Sequence, residues 1–191
     1  MHEPTAISVA FKEWAVVCGA LATARQVIVL RKGGIDEGHD GFHVAHARFA
    51  LWPTFAHQQS GGIVDEARPL LDEALAARPA IGVGRIELVA SVSRVFEVAD
   101  ERSALALRDE HILSGDTVLQ RFRYRRPGLF VLALRVARLP KAIEIVETTE
   151  MAGCRSWTPL PESIDTSGAV QVLDDAEFAR RLRRVSAALF A

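Results

Sequence analysis

In the first part of the chain, the pattern of apolar and polar residues changes from helical spacing to a short β-branched run. Apolar positions recur at helical spacing over residues 9–23 and predict an amphipathic helix there. Gly19 lowers the helix propensity of this stretch by about 1 kcal/mol, so a strand stays the alternative. The β-branched run over residues 26–30 then predicts a strand that the Gly33-Gly34 pair ends.

The middle of the chain alternates between strand and helix signals. Residues 42–52 are expected to contain a strand that stops at the proline directly after them. A helix is expected from about 65 to 78, with a proline in its first turn, where proline is tolerated. Residues 85–98 alternate β-branched and polar positions and predict a long strand. Asp100 is placed to cap a helix over about 101–112.

The clearest hairpin signal lies in the second half. Residues 117–125 and 129–139 predict two strands joined by a tight turn at 126–128, which reads Arg-Pro-Gly. A further short strand is expected at 143–146. Residues 174–190 carry an apolar stripe at helical spacing and predict a final helix.

Helices and strands mix without a regular βαβ rhythm. The pattern indicates an α+β fold, with a mixed, mainly antiparallel sheet flanked by helices. Residues 153–168 have the composition of a loop. At 191 residues the chain is expected to form a single compact α+β domain over 1–191, with 1–82 and 83–191 as candidate sub-regions.

Composition narrows the function classes. A formal net charge of −1 means that any affinity for nucleic acid or membrane must come from a local patch. The apolar runs are far shorter than the roughly 20 residues that a membrane helix needs, and no signal peptide pattern is visible. The two cysteines, Cys18 and Cys154, form no CxxC motif or disulfide framework. We expect a cytoplasmic protein without membrane contact, of undetermined oligomeric state.

Residues 31–59 contain four of the six histidines. His43, His46 and His57 could ligate a metal, since imidazole is a common ligand. However, residues three apart on a strand point to opposite faces, and no HExxH or HxH spacing is present. We therefore predict no metal site and no cofactor. His57, which follows a Trp-Pro-Thr turn, stays the best single candidate for chemistry, against a role as a loop-tethering histidine.

Two groups of basic residues are candidate anion sites. Arg31 and Lys32 precede Gly33-Gly34 after a predicted strand, where backbone amides could approach an anion. The chain has no GxxxxGK[ST] motif, so a simple charged turn explains this segment better than a P-loop. Arg48 completes this first group of candidates.

The second group lies on the predicted hairpin. On a strand, Arg121, Arg123 and Arg125 would share one face, and the interleaved aromatic residues would share the other. Arg126 would lie at the turn. Such a stripe can hold phosphates bidentately. A solvated outer face over packed aromatic residues explains the same pattern about equally well.

Several segments resemble a bacterial family of unknown function, the domain-of-unknown-function family numbered 1802. They are KEWAVV at 12–17, LRKGGI at 30–35, RFALWPTFAHQ at 48–58, RF at 121–122, LALRV at 132–136 and GCRSW at 153–157. Some members are associated with a restriction-endonuclease-like domain of the Mrr type. The resemblance therefore implies an accessory role in restriction–modification. We expect the accessory part alone, because this chain leaves no room for such a nuclease domain.

Three functions remain open at this point. The leading hypothesis is a nucleic-acid-associated accessory module that binds phosphates through the arginine candidates. In a second form of this hypothesis, the ligand is another anion. The rival is a small-molecule hydrolase that uses His57 with Arg31, Arg48 or Cys154, and it requires residues 31–59 to meet the GCRSW segment in one pocket. The third is a structural partner-binding domain, which predicts a large exposed apolar patch.

Overall fold

The structure is a computed structural model. It describes residues 5–32, 37–38, 41–42, 45–56, 58–149, 151, 153 and 155–190. His43, His57, Cys154 and the Gly33-Gly34 pair lie outside the described residues.

Nine strands and five helices make up the described part of the chain. The strands are β1 Ala6–Trp14, β2 Ile28–Arg31, β3 Glu37–Gly38, β4 Gly41–Phe42, β5 Arg48–Thr54, β6 Val83–Val98, β7 Leu129–Val146, β8 Trp157–Asp165 and β9 Val170–Gln171. The helices are α1 Ala15–Ala22, α2 Arg68–Ala76, α3 Glu101–Ala106, α4 Gly115–Arg123 and α5 Asp175–Leu189. Two short 3-10 turns, Ser60–Gly62 and Asp65–Ala67, precede α2.

One seven-stranded sheet carries the fold. Its order is β2-β7-β6-β5-β1-β8, and β9 pairs with β7. The β1–β5 pair is parallel, and the other described pairs of the sheet are antiparallel. Buried side chains lie on both faces of the sheet, and the larger cluster, with Phe11, Phe49 and Leu132, also includes residues of the helices. This confirms the α+β class with a mixed, mainly antiparallel sheet.

The strongest sequence signals are confirmed. The alternating segment at 85–98 forms β6, which pairs along its whole length with β7. Asp174 caps α5 by accepting a hydrogen bond from the Glu177 N–H at 2.8 Å. Asp100 caps α3 in the same way through Ser103, although α3 ends at Ala106 and is shorter than predicted.

The prediction of one amphipathic helix over 9–23 is wrong in its first half. Residues up to Trp14 form β1, and the helix begins at Ala15. Six of the eight residues of α1 are buried, so the helix has no polar face and produces no helical period. The alternative of a strand is correct for the part that precedes Ala15.

The predicted strand at 117–125 is a helix. Ser114 caps α4 by accepting a hydrogen bond from the Thr117 N–H at 3.3 Å. The predicted hairpin therefore does not form, and 129–139 and 143–146 are parts of the single strand β7. Because α4 is a helix, the arginines at 121–125 do not share a strand face.

Residues 157–165 are a strand instead of the predicted loop. Pro159 and Pro161 make the segment look like a loop, but β8 lies at the edge of the sheet, where proline is tolerated. Within the described ranges, no helix has the length and apolar character needed to cross a membrane.

Candidate functional site

A buried carboxylate lies where several of the sequence candidates meet. Glu13 is the penultimate residue of β1, and its side chain is 1% exposed. Its Oε2 pairs with Arg31 Nη1 at 3.1 Å, and its Oε1 lies 3.8 Å from Arg121 Nη2. The Trp14 N–H donates to Oε1 at 2.8 Å. Such pairing is what allows a carboxylate to be buried.

The two arginines reach Glu13 from different elements. Arg31 ends β2, and Arg121 lies in the last turn of α4. Arg121 also donates to the Leu30 carbonyl at 2.8 Å, and its guanidinium lies 4.9 Å from the centre of the Trp14 ring. Burial lowers the pKa of Arg121, Glu13 opposes this effect, and Arg31 adds to it. We call Glu13, Arg31 and Arg121 the Glu13 cluster.

The GCRSW segment joins this cluster through Ser156. Arg31 Nη2 donates to the Ser156 hydroxyl at 2.6 Å, and the Lys12 N–H donates to the Ser156 carbonyl at 2.8 Å. The centre of the neighbouring Trp157 ring lies 4.7 Å from the centre of the Phe11 ring and 5.2 Å from the centre of the His46 ring. The structure thus brings Arg31 into contact with Ser156, whereas the shared pocket that the hydrolase hypothesis requires stays a prediction.

The reactive partners of that hypothesis stay a prediction. His57 and Cys154 lie outside the described residues, and Arg48 lies 3.5 Å from the hydroxyl of Thr166. Cys18 is described, and burial raises the pKa of its thiol, which removes it as a nucleophile. Among the described residues, no group of three His, Cys, Asp or Glu side chains could hold a metal ion.

Lys32 serves as a tether for the turn that follows α4. Its ammonium group donates to the Phe122 carbonyl at 2.8 Å and to the carbonyls of Arg126 and Gly128. Burial and the nearby Arg126 lower the pKa of Lys32. Because an ammonium has three donors, these carbonyls use all of them. Lys32, one of the candidates for anion binding, thus directs its donors at backbone carbonyls.

The arginine candidates separate into buried and exposed groups. Residues two apart on a helix point roughly 200° away from each other, so Arg121 turns inward while Arg123 turns to solvent. Arg123 forms two hydrogen bonds with the Glu101 carboxylate, at 2.6 and 2.7 Å.

Residues 123–127 form an exposed turn, which we call the arginine turn. Tyr124 is 57% exposed, and the Arg125 guanidinium lies 5.2 Å from its ring centre. Arg125 has a φ of 61°, a left-handed conformation that is costly for a residue other than glycine. Arg126 is exposed beside it. The turn thus presents an aromatic ring between guanidinium groups.

A polar cavity lies next to the Glu13 cluster. It has a volume of about 680 Å³ and is lined in part by Trp14, Gln58 and Gln120. Gln58 Oε1 accepts a hydrogen bond from the Val16 N–H at 3.2 Å, which holds the side chain against the start of α1.

Sequence reasoning missed Glu13 and His111. Glu13 had one available signal: with the neighbouring Lys12 it is one of two charged residues in a stretch that is otherwise apolar from Val9 to Val17. His111 is buried, its Nδ1 accepts a hydrogen bond from the Leu113 N–H at 3.1 Å, and its Nε2 has no partner among the described residues. Nothing in the sequence distinguished it from a surface histidine.

The fold is similar to that of solved structures with very different sequences. The crystal structure of ASCH from Zymomonas mobilis is 11% identical, with a TM-score of 0.45, over 92% of this chain and 92% of that chain. The crystal structure of a serine-to-alanine mutant of the same protein is 10% identical, with a TM-score of 0.45, over 84% of this chain and 92% of that chain.

No curated protein matches the chain. The family model described as Domain of unknown function (DUF1802) matches residues 10–184, which include the Glu13 cluster, the arginine turn and Ser156. The resemblance that the sequence segments indicated is thereby confirmed, and the chain belongs to the DUF1802 family.

Proposed function

We propose that the chain is a cytoplasmic, nucleic-acid-associated accessory module whose arginine turn contacts the phosphate backbone. The restriction–modification setting that the family resemblance implies is part of this proposal. The supporting observation is an exposed tyrosine between exposed arginines, on a turn that the Lys32 ammonium holds at its base. Aromatic rings stack on unpaired bases, and guanidinium groups pair with phosphates.

The local charge supports the same function despite a net charge of −1 for the whole chain. Arg123, Arg125 and Arg126 lie in the turn, and Glu101 pairs with the first of them. Arg125 and Arg126 belong to the same short, exposed segment, and Arg126 also takes part in an interaction of its own within the fold. A local patch of this kind produces salt-dependent, sequence-independent affinity for phosphates.

The tether at Lys32 supplies the rigidity that a contact surface needs. Three carbonyl groups from both ends of the turn converge on one ammonium. A surface that is ordered before binding loses less conformational entropy when it binds. In this proposal Lys32 and Arg121 position the turn, and Tyr124, Arg125 and Arg126 touch the nucleic acid.

The test is binding to labelled single-stranded DNA, double-stranded DNA and RNA, followed by fluorescence anisotropy from about 50 to 200 mM salt. The double variant Arg125→Ala/Arg126→Ala should reduce the slope of log affinity against log salt by about 1.4 to 1.8. Tyr124→Ala should weaken binding to single strands by about 1 to 3 kcal/mol, with little effect on duplex DNA.

The matched control is Arg68→Ala/Arg108→Ala, which removes two exposed guanidinium groups elsewhere, 60% and 82% exposed. This control should keep the affinity and slope of the unmodified protein. Absence of binding at low salt, or equal slopes for the two double variants, would contradict the proposal.

A further inference from the structure

A second cavity lies away from the arginine turn, between α1 and α2 over strands β5 and β6. Its volume is about 300 Å³, at the lower end of the range for small-molecule sites. Its walls are mainly apolar and include Cys18, Gly19, Ala22, Leu51, Leu70 and Leu88. We call it the α1–α2 pocket.

The pocket exists because α1 presents very small side chains toward α2. A Cβ atom added at Gly19 would find no heavy atom within 4 Å, and the φ of Gly19 is not positive. The backbone therefore does not require glycine here, although glycine lowers helix stability relative to alanine. Protein interiors are normally packed without such gaps. A side chain larger than that of glycine at position 19 would therefore fill part of the pocket.

The charges at the mouth of the pocket compensate each other. Arg85 Nε pairs with Glu87 Oε1 at 2.7 Å, and Arg138 Nη1 lies 3.4 Å from Glu87 Oε2. Glu73 is the remaining acidic residue of the lining. Two arginines and two glutamates leave no net charge to balance a charged ligand, and the apolar walls cannot solvate one. The mouth therefore favours a neutral ligand.

We propose that the α1–α2 pocket binds an uncharged, mainly apolar small molecule of about the size of a two-ring aromatic compound. Size and charge both limit the occupant. An apolar cavity of about 150 Å³ is enough to hold benzene, so twice that volume holds a bicyclic ring. This site is separate from the proposed nucleic-acid contact, and neither depends on the other.

The test uses indole as the probe, in a titration of the full chain followed by two-dimensional amide NMR. Indole should shift the signals of residues 18–22 and 70–74, on the two helices that line the pocket. Indole-3-acetate and tryptamine carry the same rings with a negative and a positive charge. Both should bind at least about tenfold more weakly than indole, which corresponds to about 1.4 kcal/mol.

Two variants at one position separate filling of the pocket from damage to the fold. Gly19→Phe places a ring inside the pocket and should weaken indole binding at least about tenfold. Gly19→Ala adds only a methyl group and should retain binding. Both replace glycine by a better helix former, so neither should lower the thermal unfolding temperature.

Four outcomes of the binding experiments would overturn the proposal, and a fifth outcome concerns self-association. The four are no indole binding by the unmodified chain, shifts confined to other elements, equal binding by Gly19→Phe, and tighter binding of either charged analogue. Self-association of the unmodified chain that Gly19→Phe abolishes would make a second copy the occupant and would also overturn it. Because the shift map is measured on the unmodified chain, the proposal stays testable even if Gly19→Phe fails to fold.

Discussion

Replacement of Glu13 by glutamine should cost a large part of the stability of the fold. The amide keeps the size of the carboxylate and can still accept from the Trp14 N–H, but it loses the negative charge. Arg31 and Arg121, which are 16% and 19% exposed, would then face each other without a counterion. The substitution therefore isolates the charge of Glu13 from its shape.

The magnitude follows from the burial of the three groups. Removal of one partner from a buried ion pair typically costs about 3 to 5 kcal/mol. Because both guanidinium groups keep some contact with solvent, we expect the lower end, about 3 kcal/mol. A domain of this kind has about 5 to 15 kcal/mol in total, so the variant should fold but unfold at clearly lower urea concentration.

The assay is urea denaturation at neutral pH of Glu13→Gln, Arg31→Met and the double variant. The double variant should be more stable than the sum of the single effects predicts, with a coupling of about 1 to 3 kcal/mol. Glu101→Gln, which breaks the exposed pair with Arg123, is the control and should change stability much less. Single effects that add within about 0.5 kcal/mol would refute the cluster as an interacting unit.

Two further predictions concern packing and pH. Gly84→Ala should lower the free energy of unfolding by about 2 to 3 kcal/mol, because the new Cβ would overlap the buried Trp52 ring. The control Gly61→Ala should leave the free energy of unfolding unchanged, because its Cβ would meet no atom within 4 Å. Equal thermal unfolding temperatures for the two variants would contradict this prediction. Burial, reinforced by Arg121, lowers the pKa of His111 from 6.5 to about 4, so the folded state binds its proton less readily than the unfolded state. The contribution of His111 to the free energy of unfolding is therefore fully present above pH 6.5, and it falls by up to about 3 kcal/mol as the pH drops toward 4. Urea unfolding at several pH values should show a smaller fall in His111→Gln than in the exposed-site control His46→Gln.

The elements that the sequence predicted correctly are those whose signals are local. The alternation along β6 and the aspartate caps of α3 and α5 depend only on neighbouring residues. The sequence predicts a strand at 117–125 because the Thr, Val, Phe and Tyr residues of this segment favour strands in general. The Ser114 cap and the inward contact of Arg121 with Glu13 stabilise a helix instead.

The candidate site shows the same division between local and distant information. The segments at 12–17, 30–35, 121–122 and 153–157 all resemble one family. Their convergence around Glu13, however, depends on contacts between distant residues, such as Arg31 and Ser156, which are 125 positions apart. Such pairings are set by the order of strands in the sheet and leave no periodic trace in the sequence. The sequence therefore does not predict that Glu13 pairs with Arg31 and Arg121, although it marks the segments that surround Glu13.

The helix at α4 changes what the arginine run can do. A strand would have offered Arg121, Arg123 and Arg125 to one ligand, whereas the helix directs Arg121 toward Glu13 and Arg123 toward Glu101. The remaining arginines, Arg125 and Arg126, lie after the helix ends, on the turn that Lys32 tethers. Loss of Lys32 should therefore weaken phosphate binding in two ways, by loosening the turn and by removing a positive charge that hydrogen bonds to neutral carbonyls do not neutralise. The same division explains why the buried arginines should govern stability and the exposed ones the salt dependence of binding.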